Sequence, residues 1–207
     1  MTRAVALAVL GLIASSATAG DRLAGYVAEL ESPDRARWQH PDRVVETLRL
    51  RPGMAIADVG AGTGYFTRRF AAAVTPGGRV LALDVLPAML EELRRRAAGV
   101  ENVETREVPP DDPGLTEQSF DVIFICNTGH HLPDRGRYYA KLRRALRPGG
   151  RLVLIDFYRR DLPVGPPVKE KVSRAETLRE AEAAGFRLRA SHAFLPYQYF
   201  LELEVKS

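Results

Sequence analysis

Asp58, Gly60, Gly62 and Gly64, followed by Asp84, are the residues whose types and spacing point to chemistry. They lie in Ala55-Ile56-Ala57-Asp58-Val59-Gly60-Ala61-Gly62-Thr63-Gly64, a short apolar run that ends in an acid and then three alternating glycines. Glycine reaches backbone conformations closed to other residues and lets the main chain approach a ligand with no Cβ between them. A helix opening just after such a loop points unpaired N–H groups at the same place. The expected product is a binding site made largely of main chain. Its spacing is G-x-G-x-G, not the G-x-G-x-x-G of dinucleotide-binding folds. A second apolar run, 79–83, also ends in an acid, Asp84, about 20 residues on, where such folds hold a ribose by its hydroxyls.

A second group follows the apolar run 120–126: Asn127, Thr128, Gly129, His130 and His131. Ligands of open α/β sheets sit beyond the carboxyl ends of the strands, so this loop belongs beside the glycines. Either imidazole, His130 or His131, is a candidate general base for a substrate N, O or S nucleophile. Two histidines with no Asp, Glu or Cys at a recognisable ligand spacing give no metal site. Cys126, the single cysteine, ends the apolar run and reads as a small packed side chain.

The elements that must position these residues follow from periodicity and turn chemistry. Strands are expected over 54–59, 80–84, 103–108, 120–126 and 151–157, alternating with helices over 64–74, 87–97 and 135–146. Pro76-Gly77-Gly78 and Pro148-Gly149-Gly150 stop the first and third of these helices. A helix over 174–184 and two strand-like runs, 186–190 and 197–205, end the chain; the short connection between those runs makes them an antiparallel pair. Strand–helix alternation implies an α/β fold with a doubly wound, mostly parallel sheet.

The 207 residues, 45% hydrophobic and 27% charged, suit one globular domain. Net charge is +4, but Arg94, Arg95, Arg96, Arg143 and Arg144 fall on expected helices beside acids or apolar positions, as solvated faces rather than a nucleic-acid track. Arg3, the apolar stretch 4–14 and Ala17-Thr18-Ala19 have the form of a signal peptide cleaved after Ala19, with an apolar stretch too short for a membrane span. The expected layout is a signal at 1–19, a helical lid at 20–50 and a catalytic domain at 51–207, exported to the periplasm if the leader is cleaved. The alternatives are a cytoplasmic protein with a different start or one anchored by an uncleaved leader.

The chain resembles the class I S-adenosylmethionine-dependent methyltransferases. The marks are Asp58 to Gly64, Asp84, Phe120-Asp121-Val122-Ile123-Phe124, and Leu146-Arg147-Pro148-Gly149-Gly150-Arg151-Leu152 before a strand. The resemblance implies a seven-stranded Rossmann-like sheet whose antiparallel last strand inserts between two parallel ones, with S-adenosyl-L-methionine as cofactor. It also implies that Gly60, Gly62 and Gly64, with Ala61 in the same loop, pass close to the methionine moiety, and that Asp58 attracts its ammonium. Asp84 would accept from both ribose hydroxyls, and Val85 would pack on the adenine edge. The family's adenine-reading acid has no clean match; Asp112 is the first candidate and Asp111 the second, and Asn127 joins the cofactor site from the loop after the fourth strand. The run after that strand lacks the Asn/Asp-Pro-Pro-Tyr of methyltransferases that modify amino groups, so a small-molecule acceptor is expected, with Tyr158, Arg159, Arg160 and 194–199 as candidates for shaping its pocket. Two other readings stay open: a non-catalytic binding protein for the same ligand, and a nicotinamide oxidoreductase, which the glycine spacing disfavours.

Overall fold

The computed structural model describes residues 19–206. Three short helices open it: α1 (Ala19–Leu30), α2 (Pro33–Gln39) and α3 (Pro41–Thr47). The sequence punctuates them. Ser32 caps α2 by accepting from the Asp34 N–H at 3.3 Å, Pro33 fills its first turn, and the left-handed His40 ends it immediately before Pro41 starts α3. The leader expected over 1–19 lies outside the described residues, except for Ala19. Among the described residues, no helix is long and apolar enough to cross a membrane.

Beyond them come β1 (Ala55–Val59), α4 (Thr67–Val74), β2 (Arg79–Asp84), α5 (Pro87–Arg96), β3 (Val103–Glu107), β4 (Phe120–Cys126), α6 (Arg135–Ala145), β5 (Leu146–Phe157), α7 (Arg174–Ala183), β6 (Phe186–His192) and β7 (Gln198–Val205). The sheet runs β3-β2-β1-β4-β5-β7-β6. β7 is antiparallel to both β5 and β6, so it is inserted between two strands that run the same way. Fully buried central strands such as β1 read as unbroken apolar runs because helices cover both faces. Ala57, Ile123, Leu152 and Leu201 pack under Tyr139 and Leu142 of α6, while Ile56, Phe124, Val153 and Phe200 pack under Val44 of α3 and Phe70 of α4.

Two boundaries differ from expectation. The turn read at Pro148-Gly149-Gly150 is absorbed into β5 as an irregularity: Phe120 pairs with Leu146, but Val122 pairs with Arg151. Gly149 has φ 78°, and a Cβ on Gly150 would lie 3.0 Å from the Phe120 carbonyl, so the glycines let the bulge hug β4. α4 starts at Thr67 rather than near 64, because Gly64 has φ 82°, which no right-handed helix contains.

Parallel register sets the site. Val59 is level with Leu83 and Ile125, so β1, β2 and β4 end together and release Gly60, Asp84 and Asn127 at one edge.

Candidate functional site

At that edge lies a cavity of about 580 Å³, within the range of small-molecule and cofactor sites. Gly60, Ala61 and Gly62 line it. The loop is pinned by Gly60 and Ala61 N–H groups that both donate to the Leu83 carbonyl, at 2.8 and 2.9 Å. Gly60 has φ 73°, and a Cβ there would stand 2.2 Å from Thr128 Oγ1, so only glycine fits where the two loops meet. Asp84, 8% exposed, also lines the cavity; it accepts from Gly62 N–H at 2.8 Å and from Leu86 N–H at 3.0 Å. Burial raises its pKa and the backbone N–H groups oppose that rise, as expected for a carboxylate kept in a dry site by its own hydrogen bonds. Val85 lines the same wall, and Met89 behind it is fully buried.

Four expected residues are not on the cavity wall. Asp58, 3% exposed, turns into the core and accepts from Thr67 Oγ1 at 2.6 Å; burial pushes its pKa up to about 7. Gly64 serves packing rather than the ligand: a Cβ there would sit 2.7 Å from Leu93 Cγ of α5. Asp112 is half-buried, pairs with Lys141 at 2.8 Å and caps its own turn through Gly114 N–H, which is the chemistry its neighbouring Pro113 favours. Val108, Pro109 and Pro110 reach the cavity in its place. His130 is turned inward: its backbone N–H and Nδ1 both meet the Asp156 carboxylate, at 3.1 and 2.9 Å.

Asn127 and His131 do line the cavity. Asn127 takes φ 57°, a left-handed conformation that asparagine tolerates, so the chain leaves β4 sharply. A 3-10 turn, Gly129–His131, follows. The His131 ring lies 4.1 Å from that of His130 and is exposed at the cavity edge; partial burial, then the charge on His130, lowers its pKa to about 4. His131 is therefore a neutral hydrogen-bonding group at pH 7. Among the described residues, no three His, Cys, Asp or Glu side chains group as for a metal ion.

A family profile described as a methyltransferase domain matches residues 57–152, the span from β1 to β5 that carries the glycines, Asp84 and the β4 loop. The chain superposes on a SAM-dependent methyltransferase from Aquifex aeolicus with a TM-score of 0.82 and 26% identity, covering 87% of this chain and 97% of that one. Residues 57–152 form a methyltransferase domain, and the fold is that of the S-adenosylmethionine-dependent methyltransferases. The chain is 34% identical over 152 residues to an uncharacterised 37.1 kDa protein in transposon TN4556 of Streptomyces fradiae, covering 73% of this chain and 44% of that protein. It is also 28% identical over 123 residues to a ubiquinone/menaquinone biosynthesis C-methyltransferase of Hahella chejuensis, covering 58% and 49%. The chain thus spans about half the length of these two curated relatives.

The methyltransferase's cavity fits the family's cofactor: a nucleoside-sized space, a floor without side chains at Gly60 and Gly62, and a buried acid at the ribose end. Several of its walls were not legible beforehand. Tyr26, Leu30 and Arg35 come from α1 and α2, and Tyr138 from α6. Glu31 ties that helical segment down, bonding Thr63 Oγ1 at 2.6 Å and pairing with Arg68 at 2.8 Å and Arg96 at 3.3 Å. Asp156 had a readable signal, an acid ending an apolar strand just as Asp58 and Asp84 do. Tyr158, Arg160 and Phe194 are elsewhere: Tyr158 stacks edge-on against Tyr199, Arg160 reaches the Pro196 carbonyl, and Phe194 packs on Phe200.

Proposed function

We propose that the protein transfers the sulfonium methyl group of S-adenosylmethionine to a small-molecule acceptor. The observation that carries this reading is a single cavity lined both by the ribose-type acid Asp84 and by Asn127, Thr128 and His131 of the β4 loop, space enough for donor and acceptor together. The small-molecule acceptor finds support in the Hahella relative, a ubiquinone/menaquinone biosynthesis C-methyltransferase.

The bound cofactor supplies a methyl group already activated for in-line displacement. The chain's own work is binding and orientation. Asp84 holds the ribose hydroxyls, Gly60 and Gly62 let the methionine portion lie against the backbone, and Val85 with Met89 flanks the adenine. Tyr26 and Leu30 cover the site and exclude water. His131, with a pKa of about 4, makes a poor proton sink: taking a proton from a phenol-type hydroxyl is uphill by roughly six pH units. His130 is committed to Asp156. The acceptor is accordingly one whose nucleophile ionises readily or is already anionic, and alignment does most of the catalysis.

A screen of labelled methyl donor against phenolic, carboxylic and 1,3-dicarbonyl acceptors tests this. Turnover should appear with acceptors that ionise near neutral pH, and His131→Ala should keep it within about tenfold. Donor binding without transfer to any of them would favour a non-catalytic binding protein. We also propose that the leader directs export with cleavage after Ala19; a mature chain whose first residue, sequenced from its own host, is not Gly20 would refute that.

A further inference from the structure

Asn127 faces the cavity from the end of a buried chain of side chains that has a fixed direction. Arg35 Nε lies 2.5 Å from Gln39 Oε1, and a guanidinium can only donate, so the Gln39 oxygen is committed as acceptor. The Gln39 amide nitrogen must then lie on the other side, where it donates to Gln198 Oε1 and to Cys126 Sγ, both at 3.1 Å. With its oxygen so occupied, Gln198 donates from Nε2 to Asn127 Oδ1. Gln39 and Gln198 are both 0% exposed, so no solvent offers either amide a different partner. Each amide is forced by the one before it, and what remains at the end is the Asn127 NH2 group on the cavity wall. A main-chain bond from Asn127 N–H to the Ile155 carbonyl at 2.9 Å, together with φ 57°, holds the residue in place.

The head of the chain sets the charge. Arg35 lines the same cavity at 8% exposure, lies with its guanidinium carbon 4.0 Å from the centre of the Tyr65 ring, and has no carboxylate paired with it among the described residues. Glu31 and Asp58 act on it only at a distance, and the cost of a buried cation with no anion in contact falls when a ligand supplies one.

We propose that Gln39 and Gln198 are positioning residues that fix the Asn127 carboxamide with its N–H toward the cavity, and that this wall, with Arg35, receives the carboxylate of the methyl donor. This rests on the reading of the cavity as the donor site. With its ribose at Asp84 and the floor free of side chains at Gly60 and Gly62, the donor's amino-acid end would be held at the β4 edge by Asn127 and Arg35. The two glutamines come from α2 and β7, so elements outside the glycine loop set the polarity of the site.

Calorimetry with S-adenosylhomocysteine and its decarboxylated analogue tests it. Wild type should bind the carboxylate-bearing ligand at least about tenfold more tightly, the worth of one charge-assisted hydrogen bond. Asn127→Asp places an acceptor where the N–H was. Gln198→Glu can accept from Gln39 but cannot donate to Asn127, whose amide then reverses. Both variants should lower the ratio of affinities by about tenfold, with Arg35 still in place. General loosening would weaken both ligands alike and keep the ratio, so the ratio separates positioning from structure. Should Gln198→Glu fail to fold, Asn127→Asp decides alone through the ratio, since its new charge acts on the ammonium of both ligands alike: a ratio kept at the wild-type value would overturn the proposal. A wild-type ratio near one, or variants that keep the wild-type ratio, would also overturn it. Failure of wild type to bind either ligand would instead overturn the donor-site reading on which it stands.

Discussion

Asp84→Asn is expected to weaken S-adenosylhomocysteine binding by roughly 100- to 1,000-fold while changing the stability of the fold far less. A carboxylate can accept from two vicinal hydroxyls at once, each charge-assisted bond being worth about 1.5–3 kcal/mol. Losing about 3–4 kcal/mol corresponds to that range of affinity. Asparagine keeps the shape but has one acceptor oxygen, already in demand from the Gly62 and Leu86 N–H groups, and it turns an NH2 toward one of the partners. Stability receives two opposed contributions, because one of those N–H groups loses its acceptor while a burial cost is relieved. The Asp84 charge is held against burial, which raises its pKa, so a neutral side chain removes that opposition. Calorimetry and a thermal melt on the same variant separate the two effects. Affinity within threefold of wild type would mean that the ribose is not held at Asp84.

The glycine loop and Asp84 were legible because their chemistry is local: an apolar run, an acid and glycines within one strand and its turn specify a conformation without knowledge of the rest. Alternation of strands and helices likewise predicted the sheet, and the short connection before 197–205 predicted the antiparallel pair of β6 and β7, while the insertion of β7 beside β5 was implied by the family resemblance. The residues that the sequence does not reveal depend on distant partners. Arg35 reads as one more arginine on a short polar helix, and it becomes a cavity wall only because Gln39 and Val44 dock that segment onto β4 and α4. Gly64 was grouped with its neighbours by spacing, yet its neighbour Leu93 is on another helix. Asp112 lost its expected place to a turn whose proline was in plain view, since Lys141, which claims its carboxylate, lies 29 residues away. His130 and His131, adjacent in sequence, part company because a 3-10 turn sends one to Asp156 and the other to the cavity.

Asp58 offers the second large effect, and it is a pH dependence. Buried in the core with Thr67 as its hydroxyl partner, it has a pKa of about 7 against an ordinary value of 3.8. Between those values the folded protein holds a proton that the unfolded chain has released. The stability contributed by this group is thus fully present below about pH 4 and is lost as pH rises through 7. Three pKa units correspond to about 4 kcal/mol. Asp58→Asn stays neutral at every pH and its carbonyl still accepts from Thr67. Denaturant titrations should therefore find the variant close to wild type at pH 4 and more stable by up to about 4 kcal/mol at pH 8. Ligand binding couples to the same proton. Where the donor's ammonium lies over the loop that follows Asp58, it favours the ionised carboxylate, so binding near pH 6–7 should release a proton. That release is measurable by calorimetry in buffers of different ionisation enthalpy, and it should vanish in Asp58→Asn. Parallel stability curves for the two proteins from pH 4 to 8 would instead mean that Asp58 is ionised in the core throughout. Its role would then be fixed charge rather than a proton that departs when the donor arrives.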